Sequence, residues 1–425
     1  MEEKCIRSEL LGEHYYEIKH PSGLTVLVME QPQCTGAFAM FGTRYGSVDT
    51  CFKLESEDSY TSVPEGIAHY LEHKLFESEE LDAFERFAKT GASANAFTSF
   101  DKTCYLFQCA DRVEENLEIL LDFVKHPYFT KETVQKEQGI IGQEIRMYQD
   151  NPDWALGFNL YRAVYHKNPL RIDIAGTIES IAQITPELLY SCYRTFYNHS
   201  NMVLAVAGNV TKVQVLSVCD KVLQKEEPVR FEQIVPEEPE TVAQPYIEAV
   251  MPVELPKFEL GFKQPALPIL RDCKERVSMD ILLEIIAGKL SPLYHELLEQ
   301  GLINPSFYTY YLTGRGFALP IFVGESNDPE RVRAAILARI EELRQNGISD
   351  EDFDLTRKSL YGQEIRDFSD MDDLAYQLVD SCFSGETLFS SLETYREISK
   401  ADVEAMLDRL QPEKSSFSVV KGETK

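Results

Sequence analysis

The chain has 425 residues, of which 44% are hydrophobic and 11% aromatic, an ordinary make-up for a globular protein. Its formal net charge of −28 argues against nucleic acid and against an anionic membrane surface as partners, because both are gripped through basic patches. No apolar run approaches the roughly 18 residues of a membrane span, and length alone favours two or three domains.

Nine cysteines are scattered without a Cys-x-x-Cys pair, which reads as reduced thiols. Met1–Glu9 has no apolar core, so no secretory signal is expected and a cytoplasmic location is.

In chain order, residues 14–48 alternate as strands, broken at Pro21-Ser22-Gly23 and Gln31-Pro32-Gln33. Helices are predicted around 64–77 and 81–90, then two strands near 92–98 and 103–109. Four helices follow at about 113–125, 131–149, 154–165 and 186–197. A strand at 202–208 and a helix at 211–225 close this half. The stretch 225–245 is rich in Pro and Glu and reads as a solvated linker. Beyond it the order recurs coarsely. Strands fall in 246–263 and 306–323, with helices at 275–289 and 292–300. Helices also fill 329–346, 350–368, 371–383 and 399–410, before a last strand over 415–420. The expected class is α+β, antiparallel strands with helices to one side. The expected division is 1–226, a linker over 227–245, and 246–425.

The segment Gly66–Phe76 contains His69-Tyr70-Leu71-Glu72-His73. Ile67, Leu71 and Leu75 recur every fourth residue, so the stretch is helical. His69 and His73, four apart, then share one face. Two such imidazoles can grip one zinc ion, and Glu72 beside them is placed to handle protons. The spacing is that of the inverted zinc-peptidase signature. A third ligand is expected from the helix at 131–148. There Val134, Ile141, Ile145 and Tyr148 form an apolar stripe, and Glu137 and Glu144 lie two turns apart on one face. One of the two can bind metal while the other supports a ligand. The rival reading of the His pair is two surface histidines on an amphipathic helix; paired Glu on a helix, taken alone, more often mark a solvated face, and the His pair shifts that balance.

Together these motifs resemble the pitrilysin/insulinase family of zinc peptidases, in its short two-domain branch related to mitochondrial processing peptidase. Gly23–Val28 and Gly46-Ser47 resemble the family's opening strands. Gly91–Thr98 and Thr103-Cys104-Tyr105 resemble its Gly…Asn-Ala-x-Thr…Thr-x-Tyr strand pair, and Phe196–Gly208 the strand closing its first half. The likeness is specific over about residues 20–210 and loose beyond.

The resemblance implies two similar domains, each an antiparallel sheet packed with helices, closing like a clamshell on a peptide. It implies one Zn2+ per chain on His69, His73 and Glu144, with Glu72 as general base and Glu137 supporting a ligand. It also implies that Asn95 and Ala96 contact a peptide added along a strand edge. One departure matters. Family chains that act alone carry an Arg and a Tyr in the second half, where this chain has Leu298 and Asn304. A paralogous subunit or a homodimer is therefore expected to complete a metalloendopeptidase. The rival expectation is a non-catalytic, assembly or chaperone-like subunit.

Overall fold

The structure, a computed structural model, describes residues 2–79, 82–267 and 270–423. Residue 81, the expected start of the second helix, lies outside them. The strands are β1 (Glu2–Arg7), β2 (His14–Lys19), β3 (Thr25–Glu30), β4 (Ala37–Thr43), β5 (Cys51–Leu54), β6 (Thr61–Ser62), β7 (Ser93–Thr98), β8 (Thr103–Cys109), β9 (Met202–Gly208), β10 (Phe231–Gln233), β11 (Tyr246–Val250), β12 (Lys257–Phe262), β13 (Tyr308–Gly314), β14 (Phe317–Glu325) and β15 (Ser415–Lys421). The helices that matter below are α1 (Ile67–Leu75), α2 (Ala83–Thr90), α3 (Val113–Lys125), α4 (Lys131–Gln149), α5 (Pro152–Val164), α6 (Ile178–Ile181), α7 (Pro186–Phe196), α8 (Lys212–Val222), α9 (Cys273–Ala287), α10 (Pro292–Glu299), α11 (Pro329–Asn346), α12 (Asp350–Asp367) and α13 (Met371–Ser384). The α+β class is borne out.

Two compact units are present, and neither is one contiguous stretch. The first comprises residues 1–145, 173–234 and 367–389, and the second 146–172, 235–366 and 390–425. This corrects the expected split into 1–226 and 246–425. The reason is visible in burial. Strands β4 and β9 are buried along their whole length, as is β15 but for its last residue. A strand buried on both faces needs a cover on each. In the first unit, α13 supplies the second cover and packs on β4 and β9 through Leu374, Ala375, Leu378 and Val379. In the second unit, α5 does the same on β12 and β15. Gly261 permits that approach, since a Cβ there would lie 2.9 Å from Leu160 Cδ2.

The first unit's sheet runs β1-β2-β3-β9-β4-β8-β7 and the second's β11-β15-β12-β14-β13. Five strands repeat in order and direction. β3 and β9 are parallel, as are β11 and β15, and the remaining neighbours in each set are antiparallel. Each sheet has its own core. Phe41, Leu71, Tyr105, Phe123 and Leu189 belong to one, and Phe258, Leu282, Phe322, Ile336 and Phe417 to the other.

The expected solvated linker is partly built in. β10 pairs antiparallel with β5. Further on, the Glu238 side chain is fully buried and accepts the amides of His166, Lys167 and Asn168 at 2.6–2.9 Å and Lys263 Nζ at 2.8 Å. Composition suggested solvent, but a carboxylate with four charge-assisted partners can be buried.

Candidate metal centre

Helix α1 starts abruptly. Gly66 sits before it at φ 84, and a Cβ there would meet the Ala175 carbonyl oxygen at 2.4 Å. Ile67, Leu71 and Leu75 face the core, which sends His69, Glu72 and His73 towards the neighbouring elements. The Tyr70 hydroxyl donates to the Val134 carbonyl and ties α1 to α4.

Helix α4 then lays both glutamates along α1. Glu144 Oε1 lies 3.7 Å from His69 Nε2, and Oε2 lies 3.4 Å from His73 Nε2. Glu137 Oε1 lies 3.0 Å from His73 Nδ1. One nitrogen of His73 thus addresses each carboxylate. With its proton on Nδ1 for Glu137, the ring keeps its Nε2 lone pair facing Glu144 and His69. The two imidazoles are 4.6 Å apart between centroids.

His69, His73 and Glu144 each offer one ligand atom, and these atoms lie within 4.8 Å of one another. Among the described residues this is the one such group of three. Two imidazoles and a carboxylate, with a further position left open, suit a zinc ion. Two observations support the fit. Burial, then the neighbouring His73, pushes the His69 pKa down to about 3, so its ring is neutral and able to ligate. Its Nε2 lies 3.7 Å from Glu144 Oε1, too far for a hydrogen bond and open to a cation shared between them. For His73, burial works downward but is outweighed by the bond to Glu137 and by the fields of Glu72 and Glu144, and the net shift is upward. A divalent cation would compete with that proton for the ring.

Glu72 is 8% exposed. Burial raises its pKa, although His73 and Thr98 oppose the rise. Thr98 Oγ1 donates to Glu72 Oε2 at 2.8 Å, and Thr98 in turn sits next to Thr103, whose hydroxyl donates to the Tyr45 carbonyl. The role of Thr98 went unread in the sequence, although the Asn-Ala-x-Thr pattern carried it. Only the fold reveals that the outer strand brings this hydroxyl under α1.

Asn95 and Ala96 lie on β7, the outer strand of its sheet, which among the described residues pairs only with β8. Both line a cavity of about 520 Å³ together with Glu72, His73 and Glu137. The Asn95 side-chain oxygen accepts the amide of Ala96 at 2.9 Å. In the second unit, Leu298 lies half-buried in the last turn of α10, and Asn304 donates to Glu325 at 2.8 Å.

Known proteins are similar to this chain over most of its length. A model described as insulinase (peptidase family M16) matches residues 59–178, and one described as the peptidase M16 inactive domain matches 183–360. A Bacillus subtilis protein named "uncharacterized zinc protease YmfH" is 39% identical over 414 residues, 95% of each chain. A second from that organism, "uncharacterized zinc protease YmxG", is 26% identical over 70% of this chain and 73% of its own. A solved structure from Alicyclobacillus acidocaldarius, described as M16-like, is 33% identical. It superposes with a TM-score of 0.92 over 99% of this chain and 98% of its own. A Helicobacter pylori protease structure, at 20% identity, shares the fold with a TM-score of 0.80 over 96% and 99%.

Proposed function

The chain belongs to the insulinase family, peptidase M16, and from that premise we propose that it is a zinc-dependent metalloendopeptidase acting on peptides or small unfolded polypeptides. The observation that carries the reading is the convergence of His69, His73 and Glu144 within 4.8 Å, with the buried carboxylate of Glu72 alongside.

His69, His73 and Glu144 would hold one zinc per chain. When bound, the ion supplies Lewis acidity, polarising the scissile carbonyl and acidifying water. Glu72 Oε1 would take a proton from the attacking water and return it to the leaving amine as the C–N bond breaks. A carboxylate whose affinity for protons is raised by burial suits both halves of that task. Thr98 anchors one Glu72 oxygen and leaves the other for the proton. Glu137 holds the His73 ring by its Nδ1. The outer edge of β7, at Asn95 and Ala96, carries no further strand among the described residues and can take an extended peptide, which would displace the Asn95 side chain from the Ala96 amide.

Leu298 and Asn304 occupy the places of the family's Arg and Tyr, and this supports a two-chain enzyme completed by a paralogous subunit or a second copy. No described helix is long and apolar enough to cross a membrane, and nine cysteines with no disulfide among the described residues support a cytoplasmic site of action. The same two residues favour a second reading, a non-catalytic subunit of a peptidase-like assembly.

Glu72→Gln separates the two readings. The complex should keep its zinc and lose turnover by roughly 10²–10⁴-fold. Undiminished cleavage by that variant would remove Glu72 as base and overturn the mechanism.

A further inference from the structure

The second unit's sheet ends on β11, and the first unit shows what covers the equivalent place. β3 and β11 hold the same position in the five-strand repeat, each parallel to its neighbour, β9 or β15. The other edge of β3 is taken by β2, antiparallel, with Tyr16 opposite Val28, and β1 follows. On β11 no strand follows among the described residues.

The β11 backbone has groups to offer there. The Phe417 amide donates to the Pro245 carbonyl and the Met251 amide to the Lys421 carbonyl. Bonding to one neighbour alternates along a strand, so Ile247 and Ala249 address β15 while Tyr246, Glu248 and Val250 turn N–H and C=O outward. Such an edge is a template for another chain unless something blunts it. β1 is blunted by Glu2, Glu3, Lys4 and Arg7. β11 has a single charge, Glu248, and it is satisfied within its own sheet. Lys421 Nζ lies 2.7 Å from Oε1, and the Tyr246 hydroxyl donates to Oε2 at 2.7 Å. On the same face Tyr246 and Val250 are 39% and 56% exposed.

This pattern is its own complement. Tyr246 and Val250 stand two residues to either side of Glu248. A second β11, laid antiparallel about Glu248, sets each Tyr246 opposite the other copy's Val250. That is the pair of residue types that joins β2 to β3. The two Glu248 meet at the axis, each already held by its own Lys421. Pro252, the next outward-facing position, has no N–H and ends the ladder. Contact of one patch with itself closes at two copies.

We propose that β11 is the surface through which two copies of this chain associate, joining their second-unit sheets into one. The interface uses second-unit residues alone and is independent of the peptidase reading.

Sedimentation velocity on the full-length protein tests it, at about 0.15 M salt so that charges more than about 8 Å apart are screened. With rising concentration the mass should move from 48.6 kDa to twice that value. Val250→Lys sets a charge against Tyr246 in both cross-strand pairs and should weaken the dimer at least about 10-fold. Glu248→Pro removes the central outward N–H, spares the bonds to β15 and should have the same effect. Leu355→Lys, at another exposed apolar residue of the second unit, should change nothing. Circular dichroism checks folding, and Val250→Lys carries the test if Glu248→Pro unfolds. Hydrogen exchange over 246–250 should slow as the dimer forms. A chain that stays monomeric up to about 0.1 mM, or a dimer that Val250→Lys leaves as tight as before, would overturn the proposal.

Discussion

The hydroxyl of Thr98 shows how much a single side chain contributes to the site. It fixes one oxygen of the carboxylate proposed to move the proton, and misplacing such a group by about 1 Å is costly in rate. Thr98→Val should therefore lower kcat by roughly 10-fold. KM and bound zinc should hold steady, and Thr98→Ser should restore the rate. Steady-state kinetics with metal analysis reads this. A fall in KM or in metal content would mean that Thr98 serves packing instead. At this scale the sequence was informative where spacing alone suffices. His69, Glu72 and His73 fall on one helix, so their neighbourhood follows from the helical period. Glu144 lies on a separate helix, and no local rule brings α4 beside α1. The choice between Glu137 and Glu144 came from family likeness. The structure puts both against His73, one on each ring nitrogen.

At the scale of elements, the site depends on where α1 begins. Gly66 holds a positive φ against the Ala175 carbonyl, with no space for a Cβ. Gly66→Ala should cost on the order of 2 kcal/mol or more in stability, because the left-handed backbone and the clash both oppose a side chain. It should also weaken zinc binding by shifting His69. Chemical denaturation beside a zinc titration measures both. An unchanged midpoint would show that the turn relaxes at no cost. Most helices and strands were legible because their apolar periods are clear. Val113–Lys125, Lys131–Gln149 and Pro329–Asn346 match their predicted spans. β10 and β1 were not. β10 is three residues long in a Pro- and Glu-rich stretch, and β1 is a mostly exposed edge strand in which Cys5 and Ile6 sit side by side, so apolar and polar residues do not alternate.

For the whole molecule, the exchange of helices between units escaped the sequence. A helix's pattern tells that it has a buried face but not which sheet covers it. The fully apolar runs of β4 and β9 carried the clue that each sheet has two covered faces. One consequence of the second cover lies in the second unit. Glu259 on β12 is buried under α5 near Gly157, and one of its oxygens has no partner. Burial, and then Asp153, raise its pKa from 4.5 to about 8. The folded chain thus keeps a proton that the unfolded chain releases. Its contribution to stability is complete below 4.5 and drains away as pH rises to about 8. Melting temperature should fall across that interval in the wild type. In Glu259→Gln this part of the decline should vanish. Identical pH profiles for the two proteins would show that Glu259 ionises freely in the fold.

The account turns on His69, His73 and Glu144 sharing one divalent cation beside Glu72. Calorimetric titration of metal-free protein with zinc tests this without reference to any substrate. One ion per chain is expected in the wild type and in Glu72→Gln, with binding weakened at least about 100-fold in Glu144→Ala. Equal affinity in wild type and Glu144→Ala, or no saturable zinc at all, would contradict it.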